Sequence, residues 1–199
     1  MNLPNKITLT RICMIPVFVL FFFLDGVLPF ARGIAAIVFV LAACTDFIDG
    51  HIARSRGLVT NLGKFLDPIA DKVLVSTAML LLLTIKESLF ARTGEWADGL
   101  YVLMAVCICI IMARELIISA FRQIAAANGV VMAADKLGKF KTIFQDIAIA
   151  VLLFASDFVE FFGDFLFGVG GVTFLAATVL TVWSGNAYVV NNKQVLKDA

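Results

Sequence analysis

Six apolar runs, each close to the length that crosses a bilayer, divide this chain almost from end to end. They cover residues 9–24, 30–45, 66–85, 100–120, 143–162 and 169–190. A hydrocarbon core ~30 Å thick takes about 20 apolar residues of helix, and a helix in lipid satisfies its own backbone polar groups. The expected fold is all-α and integral to the membrane: a single domain over residues 1–199, built as a six-transmembrane-helix bundle. Composition agrees. Apolar residues make up 61% and charged residues 16%, with a mean hydropathy of +0.99; a soluble domain has ~45–50% and ~25%. A net charge of +1 argues against a nucleic-acid partner held by basic excess. The first run ends Leu24-Asp25-Gly26 without a small-x-small site, so it is not expected to be a cleaved signal.

Charge placement orients the bundle. Eleven bases (Lys6, Arg11, Arg54, Arg56, Lys64, Arg122, Lys136, Lys139, Lys141, Lys193 and Lys197) fall on one side of the alternating runs. The other side carries Arg32, Lys86 and Arg92 among seven acids. Positive residues stay inside, so both termini and the two long basic loops are expected in the cytoplasm, in a multi-pass protein of the cell membrane. Gly168-Val169-Gly170-Gly171 reads as a turn before the last run. Cys13, Cys44, Cys107 and Cys109 lie in apolar runs without CxxC spacing and are expected to be buried and reduced. His51 is the only histidine, which excludes a zinc site with two imidazoles.

Against this apolar background, four carboxylates stand at or inside the ends of the second and third runs: Asp46, Asp49, Asp67 and Asp71. Charges there are costly and mark function. Asp46 and Asp49 are three apart and Asp67 and Asp71 four apart, so each pair shares one helix face. Two adjacent antiparallel helices can turn all four acids to one cavity. Without cations they would repel one another and take up protons. Hard divalent ions with oxygen ligands, Mg2+ or Mn2+, relieve that repulsion, and two ions ~3.5–4 Å apart clamp a displacement at phosphorus. The alternative is ion pairing with Arg54, Arg56, Lys64 or Lys72.

The residues between the acids weigh against that alternative. Asp46-x2-Asp49-Gly50-x2-Ala53-Arg54-x8-Gly63-x3-Asp67-x3-Asp71 is D-x2-D-G-x2-A-R-x8-G-x3-D-x3-D without a departure. Gly50 and Gly63 leave room for a nucleotide or phosphate to approach the backbone, Ala53 keeps the helix face shallow, and Arg54 can fork onto phosphate oxygens. Pro68 is expected in the first turn of the third helix.

This stretch resembles the signature of the CDP-alcohol phosphatidyltransferases, membrane enzymes of phospholipid synthesis. The resemblance implies metal-binding roles for Asp46, Asp49, Asp67 and Asp71, with Asp71 also the base that deprotonates the attacking alcohol. It places Gly50, Ala53, Arg54 and Gly63 around the CDP moiety of CDP-diacylglycerol, and it implies release of CMP, a homodimer and a polar cavity open to the cytoplasmic side.

The acceptor must be read elsewhere. A phosphorylated acceptor needs cations near the acids, and Arg114, Arg122, Lys139 and Lys141 are the candidates. Arg114 and Arg122, eight apart, lie ~80° apart in projection and can share a broad face. Glu115 is expected to point away from Arg114, which leaves that cation for an anionic ligand. The basic loop could instead contact anionic lipid head groups. The opening residues 2–11, and the stretch from Ala113-Arg114-Glu115 through Lys141-Thr142, are similar to the phosphatidylglycerophosphate-forming branch of the family. That similarity implies sn-glycerol 3-phosphate as acceptor and puts Thr8, Thr10 and Arg11 at the mouth, Thr8 and Arg11 within reach of phosphate. Helix capping competes as their role.

Two other readings remain open: the same chemistry with phosphatidylglycerol, inositol phosphate or serine, and a metal-ion transporter. Transport favours acids spread over several helices and often internal repeats; here the four acids cluster beside one basic loop.

Overall fold

The computed structural model describes residues 3–55, 61–90, 93–127, 136–158 and 162–191. Helices within these residues are α1 (Leu3–Phe23), α2 (Ala31–Ser55), α3 (Asn61–Thr84), the short α4 (Lys86–Phe90), α5 (Ala97–Ala127), α6 (Lys136–Asp157) and α7 (Gly163–Asn191). A single 3-10 turn, Gly94–Trp96, leads into α5, and no β-strand occurs among the described residues. Each expected apolar run falls on one of the long helices. Among the described residues, two helices are long and apolar enough to cross a membrane: Gly94–Ala125, with a mean hydropathy of 2.3, and Gly163–Asn191, with 2.0. Only 28% of either is buried, whereas the core helix of a soluble protein is mostly buried. Shorter apolar stretches lie at Ile7–Phe23 and Ala31–Thr45.

The long helices form a closed ring in the order α1, α2, α6, α7, α5, α3 and back to α1, with α3 also touching α2 and α6. The interior is filled by Phe18, Phe39, Leu74, Met79, Leu82, Ile108, Ile111, Ile149 and Leu153. Between them sit fully buried small residues, among them Ala35, Ala36, Ala42, Ala78 and Ala148. Lipid tails give helices no hydrophobic reason to associate, so small side chains that let backbones close up supply the packing. The outward faces are apolar, with Leu20, Phe23, Leu116, Ile117, Phe165 and Val172 all exposed, as a lipid-facing surface requires.

The end away from the signature is clipped together by polar contacts. Arg32 pairs with Asp25 and donates from Nη1 to the Ser156 carbonyl at 3.5 Å. The Asp157 carboxylate accepts the Gly33 N–H at 2.6 Å, satisfying a free donor in the first turn of α2. The chain enters α2 through Gly26, whose φ of +84° suits a residue without a side chain.

Three local expectations are corrected. The glycines at 168, 170 and 171 do not form a turn but lie inside α7. Gly170 is there because α6 crosses close: a Cβ on it would lie 2.7 Å from Leu152 Cδ2 and 2.8 Å from its Cγ. Pro68 is inside α3 rather than in its first turn, because the helix already starts at Asn61. It cannot donate to the carbonyl four residues back. Of the cysteines only Cys107 is buried; Cys13, Cys44 and Cys109 are free thiols exposed on outward helix faces.

Candidate active site

The backbone carries the whole signature on two packed helices. Asp46, Asp49, Gly50, Ala53 and Arg54 occupy the last turns of α2, and Gly63, Asp67 and Asp71 the first turns of α3. The two helices are in contact with each other. The side chains at 46–55, 61–65 and 67 lie outside the described residues, which leaves Asp71 as the signature carboxylate whose surroundings are seen. Among the described residues no three His, Cys, Asp or Glu side chains converge. The donors that the two helix ends can offer are carboxylates, a set that fits a hard divalent ion.

Asp71 lines a cavity of about 410 Å³ walled by four helices. Pro68, Asp71 and Lys72 come from α3, and Arg114, Glu115, Ser119, Arg122 and Gln123 from α5. Gly138, Lys139 and Thr142 come from α6, and Tyr188 from α7. Four cations face two carboxylates in this lining, so the cavity is positive beside the acid that ends the signature. Of the residues singled out in the sequence, Asp71, Arg114, Arg122 and Lys139 meet here. Lys141 lies beneath, in a smaller space of about 30 Å³ that it shares with Asp71, Lys72, Glu115 and Gln145.

The cations are held rather than loose. Glu115 accepts from Arg114 Nη1 at 3.0 Å and also pairs with the buried Lys141 ammonium. The expectation that Glu115 points away from Arg114 is thereby overturned: although consecutive residues diverge on a helix, an arginine is long enough to fold back across the turn. Arg114 Nη2 donates to Ser184 Oγ at 3.0 Å, while its Nε takes no partner among the described residues. Lys72 donates to Ser119 Oγ, which in turn donates to the Glu115 carbonyl at 2.6 Å. Arg122 Nε donates to the Tyr188 hydroxyl at 3.1 Å, and its guanidinium carbon lies 5.2 Å from the ring centroid.

Thr8 and Arg11 are placed elsewhere. Both are buried on α1, and Arg11 Nε donates to Thr45 Oγ1 at 3.3 Å, the residue before Asp46. They adjoin the α2 end of the signature and are not part of the cavity that holds Arg114. The sequence reading had no role for Ser119, Gln145, Ser184 or Tyr188, and it treated Lys72 only as an ion-pair partner. For Lys72 a signal existed, a lysine beside Asp71 in an apolar run; the others are ordinary polar residues that only the packing brings together. Gln145 is buried with its Oε1 unpartnered among the described residues.

Comparison with known proteins identifies the family. The family model described as CDP-alcohol phosphatidyltransferase matches residues 1–183. A Bacillus subtilis (strain 168) protein named CDP-diacylglycerol--glycerol-3-phosphate 3-phosphatidyltransferase is 38% identical, over 98% of this chain and 97% of its own length. Proteins of the same name from Rickettsia bellii (strain RML369-C) and Shigella flexneri serotype 5b (strain 8401) are 37% and 40% identical. They align over 94% and 92% of this chain, and over 93% and 90% of their own lengths. With a signature that runs without a departure along α2 and α3 and a family match over most of its length, the chain belongs to the CDP-alcohol phosphatidyltransferase family.

Proposed function

We propose that the chain transfers the phosphatidyl group of CDP-diacylglycerol to sn-glycerol 3-phosphate. The primary hydroxyl oxygen of the acceptor forms a bond to the lipid-linked phosphorus, the pyrophosphate P–O bond breaks, CMP leaves, and phosphatidylglycerophosphate is formed. One observation carries the reading: Asp71 shares its cavity with Lys72, Arg114, Arg122 and Lys139. A carboxylate able to take the hydroxyl proton thus stands among cations able to hold an acceptor's phosphate. The names of the curated relatives support the same substrates.

Residue roles follow from position. Asp71 receives the proton of the attacking hydroxyl. Arg114, Arg122 and Lys139 bind the acceptor phosphate from the cavity wall, and Lys141 adds positive potential from below. Gly50, Ala53, Arg54 and Gly63 receive the CDP group. Arg11 and Thr8 belong to the nucleotide side, since Arg11 reaches the residue that precedes Asp46. Asp46, Asp49, Asp67 and Asp71 would hold two Mg2+ or Mn2+ ions, whose charge would offset that of the pyrophosphate.

The same proposal covers topology. All six long helices span the cell membrane, with both termini and the cavity mouth on the cytoplasmic side, where eleven of the sixteen bases gather. Glycerol phosphate enters from water and CDP-diacylglycerol from the leaflet, in a homodimer. Serine or inositol as acceptor would leave the positive wall without an anion to hold. Inositol phosphate and phosphatidylglycerol compete more closely, because each carries a phosphate.

The test is an assay of purified protein with CDP-diacylglycerol and a panel of alcohols, following CMP. Glycerol phosphate is expected to give the highest kcat/KM. Turnover with serine or inositol but none with glycerol phosphate would sink the reading.

A further inference from the structure

We propose that Ser184, Gly185 and Tyr188 of α7 are positioning residues that rack Arg114 and Arg122 into the cavity and so set the affinity for the acceptor's phosphate. The proposal rests on the reading of those two arginines as phosphate ligands. The family match ends at residue 183, so the rack lies just beyond it.

Between Asp164 and Asn191, α7 carries no charged residue, so it can attract no phosphate itself. It does set where two guanidinium groups lie. Arg114 crosses α7 directly over Gly185: a Cβ built there would lie 3.0 Å from Arg114 Cγ and 3.3 Å from its Nε. The arginine has no slack with which to yield. Its Nη2 is tied to Ser184 Oγ and its Nη1 to Glu115 Oε1, each at 3.0 Å. A Cβ at 185 pushes the stem aside by a few tenths of an ångström and so strains those two bonds.

One helical turn further, Tyr188 repeats the arrangement for Arg122 with its hydroxyl at 3.1 Å and its ring under the guanidinium. Tyr188 is itself fixed, 4% exposed and edge-on to Phe121 with centroids 6.2 Å apart. Ser184 and Tyr188 are four apart and so share a helix face. The pairings 114 with 184 and 122 with 188 ascend together, so α5 and α7 run in the same direction. A long cation held at both ends has already lost its rotamer freedom and does not lose it again on binding.

The test is steady-state kinetics on the full chain in detergent, following CMP while each substrate is varied. The variants are Arg114→Ala, Gly185→Ala, the double variant, Ser184→Ala and Tyr188→Phe. Gly185→Ala should raise the KM for glycerol phosphate about tenfold, the scale of one charge-assisted hydrogen bond. Its KM for CDP-diacylglycerol should stay within about twofold. Ser184→Ala and Tyr188→Phe should move the same KM by smaller factors, since neither adds bulk. Added to Arg114→Ala, Gly185→Ala should cause no further rise, because the group it displaces is gone.

An equal rise in both backgrounds, or a parallel rise in both KM values, means that residue 185 acts through general helix packing and overturns the rack. Arg114→Ala raising the glycerol phosphate KM while Gly185→Ala does not would overturn the rack alone. If Arg114→Ala leaves that KM unchanged, the acceptor reading falls, and the rack with it.

Discussion

The buried ammonium of Lys141 on α6 ends on the carboxylate of Glu115 on α5, twenty-six residues away. Arg114 reaches the same carboxylate, so a single acid holds two cations in place. Glu115→Ala removes the carboxylate that both are bonded to, and one of the two is almost fully buried. Breaking such a pair costs ~3–5 kcal/mol when both partners are fully buried; Glu115 retains 27% exposure, so a loss of about 2 kcal/mol is expected. Thermal unfolding in detergent measures it. Added glycerol phosphate should raise the Tm of the variant less than that of the wild type, because Arg114 has lost one of the bonds that hold it in the cavity.

The signature carboxylates give the sharpest activity loss. Asp67→Asn and Asp71→Asn should each abolish CMP release while the protein remains monodisperse and helical in detergent. A chelator should silence the wild type, and Mg2+ or Mn2+ should revive it. Retained turnover in either variant would refute the metal assignment.

Arg114→Ala and Lys139→Ala test the cavity wall. The KM for glycerol phosphate should rise ~10–100-fold, the scale of a lost contact between a cation and phosphate. The KM for CDP-diacylglycerol should change far less. Arg114 should have the larger effect, because Lys139 is exposed at the rim and screened by water. Equal shifts in both KM values would place the acceptor somewhere else.

Gly170→Ala tests the packing of α6 against α7. The added methyl meets Leu152 at under 3 Å, and overpacking of this kind costs ~1–3 kcal/mol. The variant should lose thermal stability, and Leu152→Ala in the same chain should recover part of it. The second substitution would only open a cavity in the wild type.

How much of this was legible in the sequence depended on the kind of information. The long helices follow from apolar runs whose length and composition are local properties. The signature acids follow from spacing along two helices. The cavity wall followed in part: Arg114, Arg122 and Lys139 stand out in the sequence, but the residues that hold them do not. Glu115 was expected to ignore Arg114 because a helical projection treats side chains as directions, while a long arginine follows a path. Gly170 looked like a turn because sequence alone does not record which helix crosses at that point; Leu152 of α6 decides it. Pro68 misled for another reason: residues 61–65 are polar enough to read as loop, yet α3 already runs through them. Ser184 and Tyr188 carried no signal, since their importance lies in what stands opposite them on α5.

The ring order has a consequence for the birth of the molecule. The wall that faces Asp71 combines α3, α5 and α6 with α7, which leaves the ribosome after the other three. Until α7 is inserted, Arg114 has neither Ser184 to bind nor Gly185 to lie across, and Arg122 has no aromatic partner. A nascent chain that already carries the complete signature is thus still without a finished cavity. Its last helix closes the circuit, and the membrane never holds a half-built copy with all its parts in working order.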